Sequence, residues 1–139
     1  MIVKDILKEY ANNKKLLGHL ELELKYLKDD YDVQAFQISE KTSKTNKISD
    51  IVANNYIRIE EKISQYEQEI RFCKKEIEFA EYYFNMCSGT NREILEGKYK
   101  YNLTLSKIGE KVHLTANGVN SRIERILNTI QNMIDNQNL

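Results

Sequence analysis

Amide, hydroxyl and guanidinium groups crowd one short stretch of this chain. Asn117, Asn120, Ser121 and Glu124 recur at steps of three and four, so on a helix they share one side. Val119, Ile123, Ile126, Leu127 and Ile130 take the other side. An Asn amide forms paired hydrogen bonds with an adenine edge, and a Ser hydroxyl bonds either base type. Arg122 and Arg125 flank the polar face, where guanidinium groups suit phosphate oxygens. Ala116 also points outward, and Thr115 reads as the N-cap, accepting from the amide of Asn117 or Gly118. The chemistry on offer is non-covalent reading of a nucleic acid by a helix end.

Covalent and metal chemistry find no comparable set. The two histidines, His19 and His113, fall on different predicted elements, with no Cys/His metal spacing beside them. There is no phosphate-cradling glycine loop and no Gly-x-Ser-x-Gly. Asp29, Asp30 and Asp32 read as a solvated helix end rather than a cation site. Cys73 and Cys87 lie on one predicted helix, about 21 Å apart, too far to bridge. The reading is therefore of a non-enzyme that needs no cofactor and no metal.

The reading face needs elements to hold it. Thr104 to about Val112 reads as a short helix with Leu105, Ile108 and Val112 on one side. A second helix, about 116–136, follows Thr115. Two amphipathic helices of this kind are not stable alone. Packed across one another they bury both apolar faces and leave the start of the second exposed. That arrangement is a helix-turn-helix, whose exposed helix end enters a DNA major groove. Thr104 and Lys107, at the start of the first short helix, suit phosphate contact, helped by the helix N-terminus. Upstream, Gly89 suits a left-handed stop, and Thr90 with Glu93 reads as a capping box opening a helix of about 91–100, with Ile94, Leu95 and Tyr99 inward.

The N-terminal part is longer and more regular. Over residues 2–31 the apolar steps are Val3, Ile6, Tyr10, Leu17, Leu20, Leu24, Leu27 and Tyr31, with Asn13 as a polar residue on the seam. Over 51–87 they run from Val52 through Tyr56, Ile59, Ile63, Tyr66, Ile70, Cys73, Ile77, Ala80 and Phe84 to Cys87. That is an unbroken coiled-coil seam on a helix about 55 Å long. It needs a partner: the first helix folding back antiparallel, or a second subunit. Between them, about 33–50, Ser, Thr, Lys and Asn dominate and read as a loop, with Ser49 or Asp50 capping the second long helix.

Composition agrees with an all-α chain. Of 139 residues none is proline and 5 are glycine, so helix breakers are scarce. Net charge is zero, and this excludes strong whole-molecule attraction to nucleic acid. Over 88–139 the cations Arg92, Lys98, Lys100, Lys107, Lys111, Arg122 and Arg125 face Glu93, Glu96, Glu110, Glu124 and Asp135, a mild positive bias. No stretch approaches the roughly 20 apolar residues of a membrane helix. The opening residues mix acidic and basic side chains, unlike a secretory signal, and a reduced, cytoplasmic setting is expected.

The segment Asn91–Ile130 resembles sigma factor region 4. Arg92, Ile94 and Leu95 match that family's first helix. Leu103, Thr104, Ile108, Gly109 and Glu110 match its Leu-Thr-x-x-Glu-Ile-Gly-Glu element. Thr115, Val119, Ser121, Arg122 and Leu127 match the recognition helix. The turn position usually filled by Gly is His113, which must then take a positive φ. Ala116, Asn117 and Ser121 stand where primary sigma factors carry the residues that read the −35 element, and none keeps that residue type. A coiled coil before a lone region-4-like module is similar to phage and prophage regulators of the autolysin-regulator or late-gene activator type. The resemblance implies control of late or lytic phage genes, with RNA polymerase as a further partner.

The full expectation is an all-α protein: a long N-terminal antiparallel helical hairpin over 1–87, then a helix-turn-helix module over 88–139. Its partner is double-stranded DNA. Three or four phosphate contacts give a log–log salt slope of only about −3 per module, so a homodimer is expected. The long seam of 51–87, more than a helix ending at Tyr31 covers, points the same way. Two other classes fit the same pattern: a coiled-coil adaptor, and a small-terminase-like DNA-packaging subunit.

Overall fold

The structure is a computed structural model and describes residues 1–45 and 50–137. Every regular element among them is a helix: α1 (Ile2–Lys8), α2 (Tyr10–Thr45), α3 (Asp50–Asn85), α4 (Gly89–Tyr99), α5 (Leu105–Val112) and α6 (Ala116–Gln137). The chain forms two compact units, one of Met1–Lys15 with Lys74–Leu139, the other of Leu16–Cys73.

Three boundaries differ from the sequence reading. The helix expected over 2–31 is interrupted at Glu9, which ends α1 with φ −87° and ψ −3°. The loop expected over 33–50 is helical from Val33 to Thr45, and α3 already begins at Asp50. Apolar spacing is lost there, but Gln, Ala, Glu and Lys are good helix formers and no Gly or Pro intervenes. Loss of an amphipathic pattern does not stop a helix without a breaker. The cap expected at Ser49 or Asp50 falls outside the described side chains. Finally, α4 starts at Gly89 behind Ser88, whose side chain makes no capping bond, so the Thr90–Glu93 capping box does not form. Gly89 takes φ +58° and turns the chain directly into the helix.

Within Leu16–Cys73, α2 and α3 lie against each other. Leu20, Ile70 and Cys73 are buried, with Leu17, Leu24 and Tyr66 packed on them. The Tyr66 hydroxyl donates to the Glu23 carboxylate at 2.8 Å. Further along, the Tyr31 and Tyr56 rings stack with centroids 4.8 Å apart, their hydroxyls share a hydrogen bond, and Tyr31 also donates to Glu60 at 3.1 Å. Numbers rise on α2 as they fall on α3, so the two helices run antiparallel here. Tyr56, Tyr66, Ile70 and Cys73 of the α3 seam meet α2, which continues to Thr45 instead of ending at Tyr31.

In the other unit α4, α5 and α6 pack on one another and α1 packs on α6. The core includes Val3, Leu7, Ile94, Leu95, Ile108, Val119, Ile123, Leu127 and Ile130, all buried. Polar contacts fasten α1: the Val3 N–H donates to Gln131 Oε1 at 3.2 Å, and Lys4 pairs with Glu124 at 3.7 Å. Tyr10 meets Phe84 edge to face, centroids 5.3 Å apart, and its hydroxyl donates to Glu81 at 3.2 Å. Gly97 lets α4 approach α5 closely, since a β-carbon there would sit 3.1 Å from Ile108 Cγ1.

Candidate nucleic-acid interface

The polar face of α6 depends on how α5 ends and α6 begins. Thr104 caps α5, its Oγ1 accepting from the Lys107 N–H at 3.2 Å. Thr115 caps α6, its Oγ1 accepting from the Gly118 N–H at 3.1 Å. Each bond satisfies one of the amides a helix start leaves open. Between the caps, His113 takes the left-handed conformation, φ 61° and ψ 43°. The Leu114 N–H then donates back to the Gly109 carbonyl at 2.9 Å. This is the helix-ending pattern normally built on glycine; His supplies it here despite its β-carbon. Asn102, in the turn before α5, is also left-handed, with φ 52°.

Val119, Ile123 and Leu127 are buried against the neighbouring helices, and this fixes which side of α6 faces out. Asn117, Asn120, Ser121, Glu124 and Arg125 are exposed on it. Thr104, Lys107 and Thr115 are exposed as well, while Ala116 and Arg122 are half-buried. The residues of α6 thus present a continuous polar surface over its first three turns.

Two contacts leave no trace in sequence spacing. The Arg122 guanidinium donates through Nη1 to Asn91 Oδ1 at 2.9 Å, which turns it toward the start of α4. Glu124 is held by Lys4 of α1. Arg122 and Arg125 line one open cavity of about 360 Å³ with Ser88, Asn91, Thr129 and the apolar side chains of Met86, Ile126, Ile130 and Met133. Among the described residues neither arginine has a carboxylate partner. Cys87 borders the same cavity; burial pushes its thiol pKa up, and the nearby Arg92 only partly opposes this. Burial likewise raises the Tyr99 phenol, with Glu124 adding to the effect.

Among the described residues there is no group of three or more His, Cys, Asp or Glu placed to hold a metal ion. Nor is any helix among them long and apolar enough to cross a membrane. No protein-family model matches the sequence, and neither curated proteins nor solved structures give a match.

Proposed function

We propose that this chain is a sequence-specific DNA-binding transcriptional regulator. In this reading α5, the His113 turn and α6 form a helix-turn-helix, and the start of α6 lies in the major groove. The observation that carries it is the exposed row Asn117, Asn120, Ser121 on α6, backed by Val119 at 0% and Ile123 at 2% exposure. The two Asn amides suit adenine edges, Ser121 suits either base type, and the Ala116 methyl suits a thymine methyl. Glu124 suits a cytosine amine once Lys4 releases it. Thr104 and Lys107 on one flank and Arg122 and Arg125 on the other suit phosphates. Region-4-like residues across Asn91–Ile130 support a phage or prophage type of regulator that acts in the cytoplasm beside RNA polymerase. Specific binding with so few phosphate contacts calls for two modules, hence a homodimer.

Selection of bound duplexes from a random pool, followed by affinity measurement on the winner, tests this. Changing Asn117→Ala and Asn120→Ala together should abolish the preference for that duplex. Unaltered affinity for every duplex would reject base reading by α6.

The paired α2 and α3, with exposed Leu22, Tyr26 and Phe72, favour a second reading, a coiled-coil adaptor or small-terminase-like packaging subunit. A chain that captures protein but no duplex at low salt supports the adaptor. A ring-sized mass in solution supports the packaging subunit.

A further inference from the structure

The described residues of the Leu16–Cys73 unit form very little interior. Among them the buried ones are Leu20, Ile70 and Cys73, and the rest of the described seam is half-exposed. A unit this small normally needs a disulfide, a metal or a second chain to hold it. Neither cysteine is in a disulfide, and no metal-holding group exists among the described residues. Large apolar side chains meanwhile stand in solvent on α2: Leu22 at 53%, Tyr26 at 60%, Val33 at 55% and Phe36 at 68% exposure. At about 100° per residue these four fall within an arc of about 80°, on the side of the helix opposite Leu17, Leu20 and Leu24. One helix therefore carries two apolar stripes, and the structure occupies only one.

The charges along the outer stripe are ordered. Lys15 and Lys25 lie toward its N-terminal end, Asp29 and Asp30 toward its C-terminal half. Neither Lys25 nor Asp30 has an ion-pair partner among the described residues. A helix with this order is complementary to itself when reversed. The zero net charge of the chain adds no long-range repulsion between copies.

We infer that the outer face of α2 is the dimer surface of this protein, and that its occupant is the same face of a second copy running antiparallel. The register that places Lys25 opposite Asp30 of the second copy also places Leu22 opposite its Val33, with Tyr26 over Asp29 and Phe36 over His19. Two-fold symmetry makes each contact twice. This rests on the reading of the chain as a pair, and it replaces the seam of α3 with the far side of α2 as the joining surface.

The test is mass in solution by light scattering, without DNA. The wild-type chain should give twice the 16.4 kDa of one copy. Leu22→Glu with Phe36→Glu changes exposed residues only, so helical content should persist while self-association weakens about 100-fold or more. Lys25→Asp or Asp30→Lys alone should weaken it as well, and the two together should restore it. A wild-type chain that stays at one-copy mass at about 100 µM overturns the inference. So does a dimer indifferent to the paired Glu changes, or a double charge reversal that fails to rescue. Because no nucleic acid is present, a chain that pairs as stated yet binds no duplex rejects the DNA reading and leaves this surface standing.

Discussion

The backbone oxygen of Leu114 lies inside the contact distance of any β-carbon placed on Gly109, and the Leu114 N–H donates to the Gly109 carbonyl. The last turn of α5 is thus closed over a residue that must be glycine. In an ordinary helix interior Gly→Ala adds about 0.5–1 kcal/mol. Here the sign reverses, because the obstructing atom is backbone and cannot rotate away. Gly109→Ala is expected to destabilise the chain by about 2 kcal/mol and to blunt duplex binding. Urea unfolding followed by circular dichroism checks the first, and affinity for a selected duplex the second.

His113 makes the opposite prediction. A side chain in the left-handed region costs about 1–2 kcal/mol, and glycine at a turn gives part of that back through greater freedom of the unfolded chain. His113→Gly should therefore raise stability by about 1 kcal/mol or less, read as a higher urea midpoint. An unchanged or lower midpoint would show that the imidazole has a compensating contact.

If α6 binds DNA as proposed, reading and holding separate by residue. Asn117→Ala should relax preference at one base position, by about 1–3 kcal/mol, without changing the slope of affinity against salt. Lys107→Ala should weaken all duplexes alike and lower that slope by about 1. Competition and salt titrations on a selected duplex distinguish the two patterns. Both side chains are exposed, so the fold should be indifferent to either change.

Alkali should loosen α2 from α3. The Tyr66 phenol donates to Glu23, and that bond, with the charge of the carboxylate, holds its pKa above the ordinary tyrosine value. Tyr31 is raised by its hydrogen bond to Tyr56, with burial and Glu60 adding to it. A folded pKa above the unfolded one stabilises the protonated native state. The contribution is complete below about pH 10 and is lost as pH rises through the folded value. Phenolate absorbance should lag behind that of free tyrosine, and Tyr31→Phe with Tyr66→Phe should shrink the lag to the part that burial of Tyr83 and Tyr99 leaves. A wild-type titration matching free tyrosine would contradict these contacts.

Local chemistry was legible in the sequence and distant contacts were not. Thr115 stands just before apolar periodicity begins and caps α6 as read, while Thr104, read as the first residue of its helix, proves to be the cap of α5. The left-handed turn at His113 was legible only through the resemblance, in which glycine usually fills that turn position. The helix over Val33–Thr45 was not, because its apolar pattern fades while its helix-forming residues persist. The Arg122–Asn91 bond and the Lys4–Glu124 pair join residues far apart in the chain, and nothing periodic records them. The outward face of α6 follows from the spacing of Val119, Ile123 and Leu127 alone.

The unit that holds α6 is discontinuous, drawing on Met1–Lys15 as well as Lys74–Leu139. A fragment cut near residue 88 would strip α6 of Val3 and Leu7, leaving greasy patches bare where α1 had rested. During synthesis an early-made segment must wait for a late-made one, since the Val3 amide finds Gln131 only after everything between them has left the ribosome.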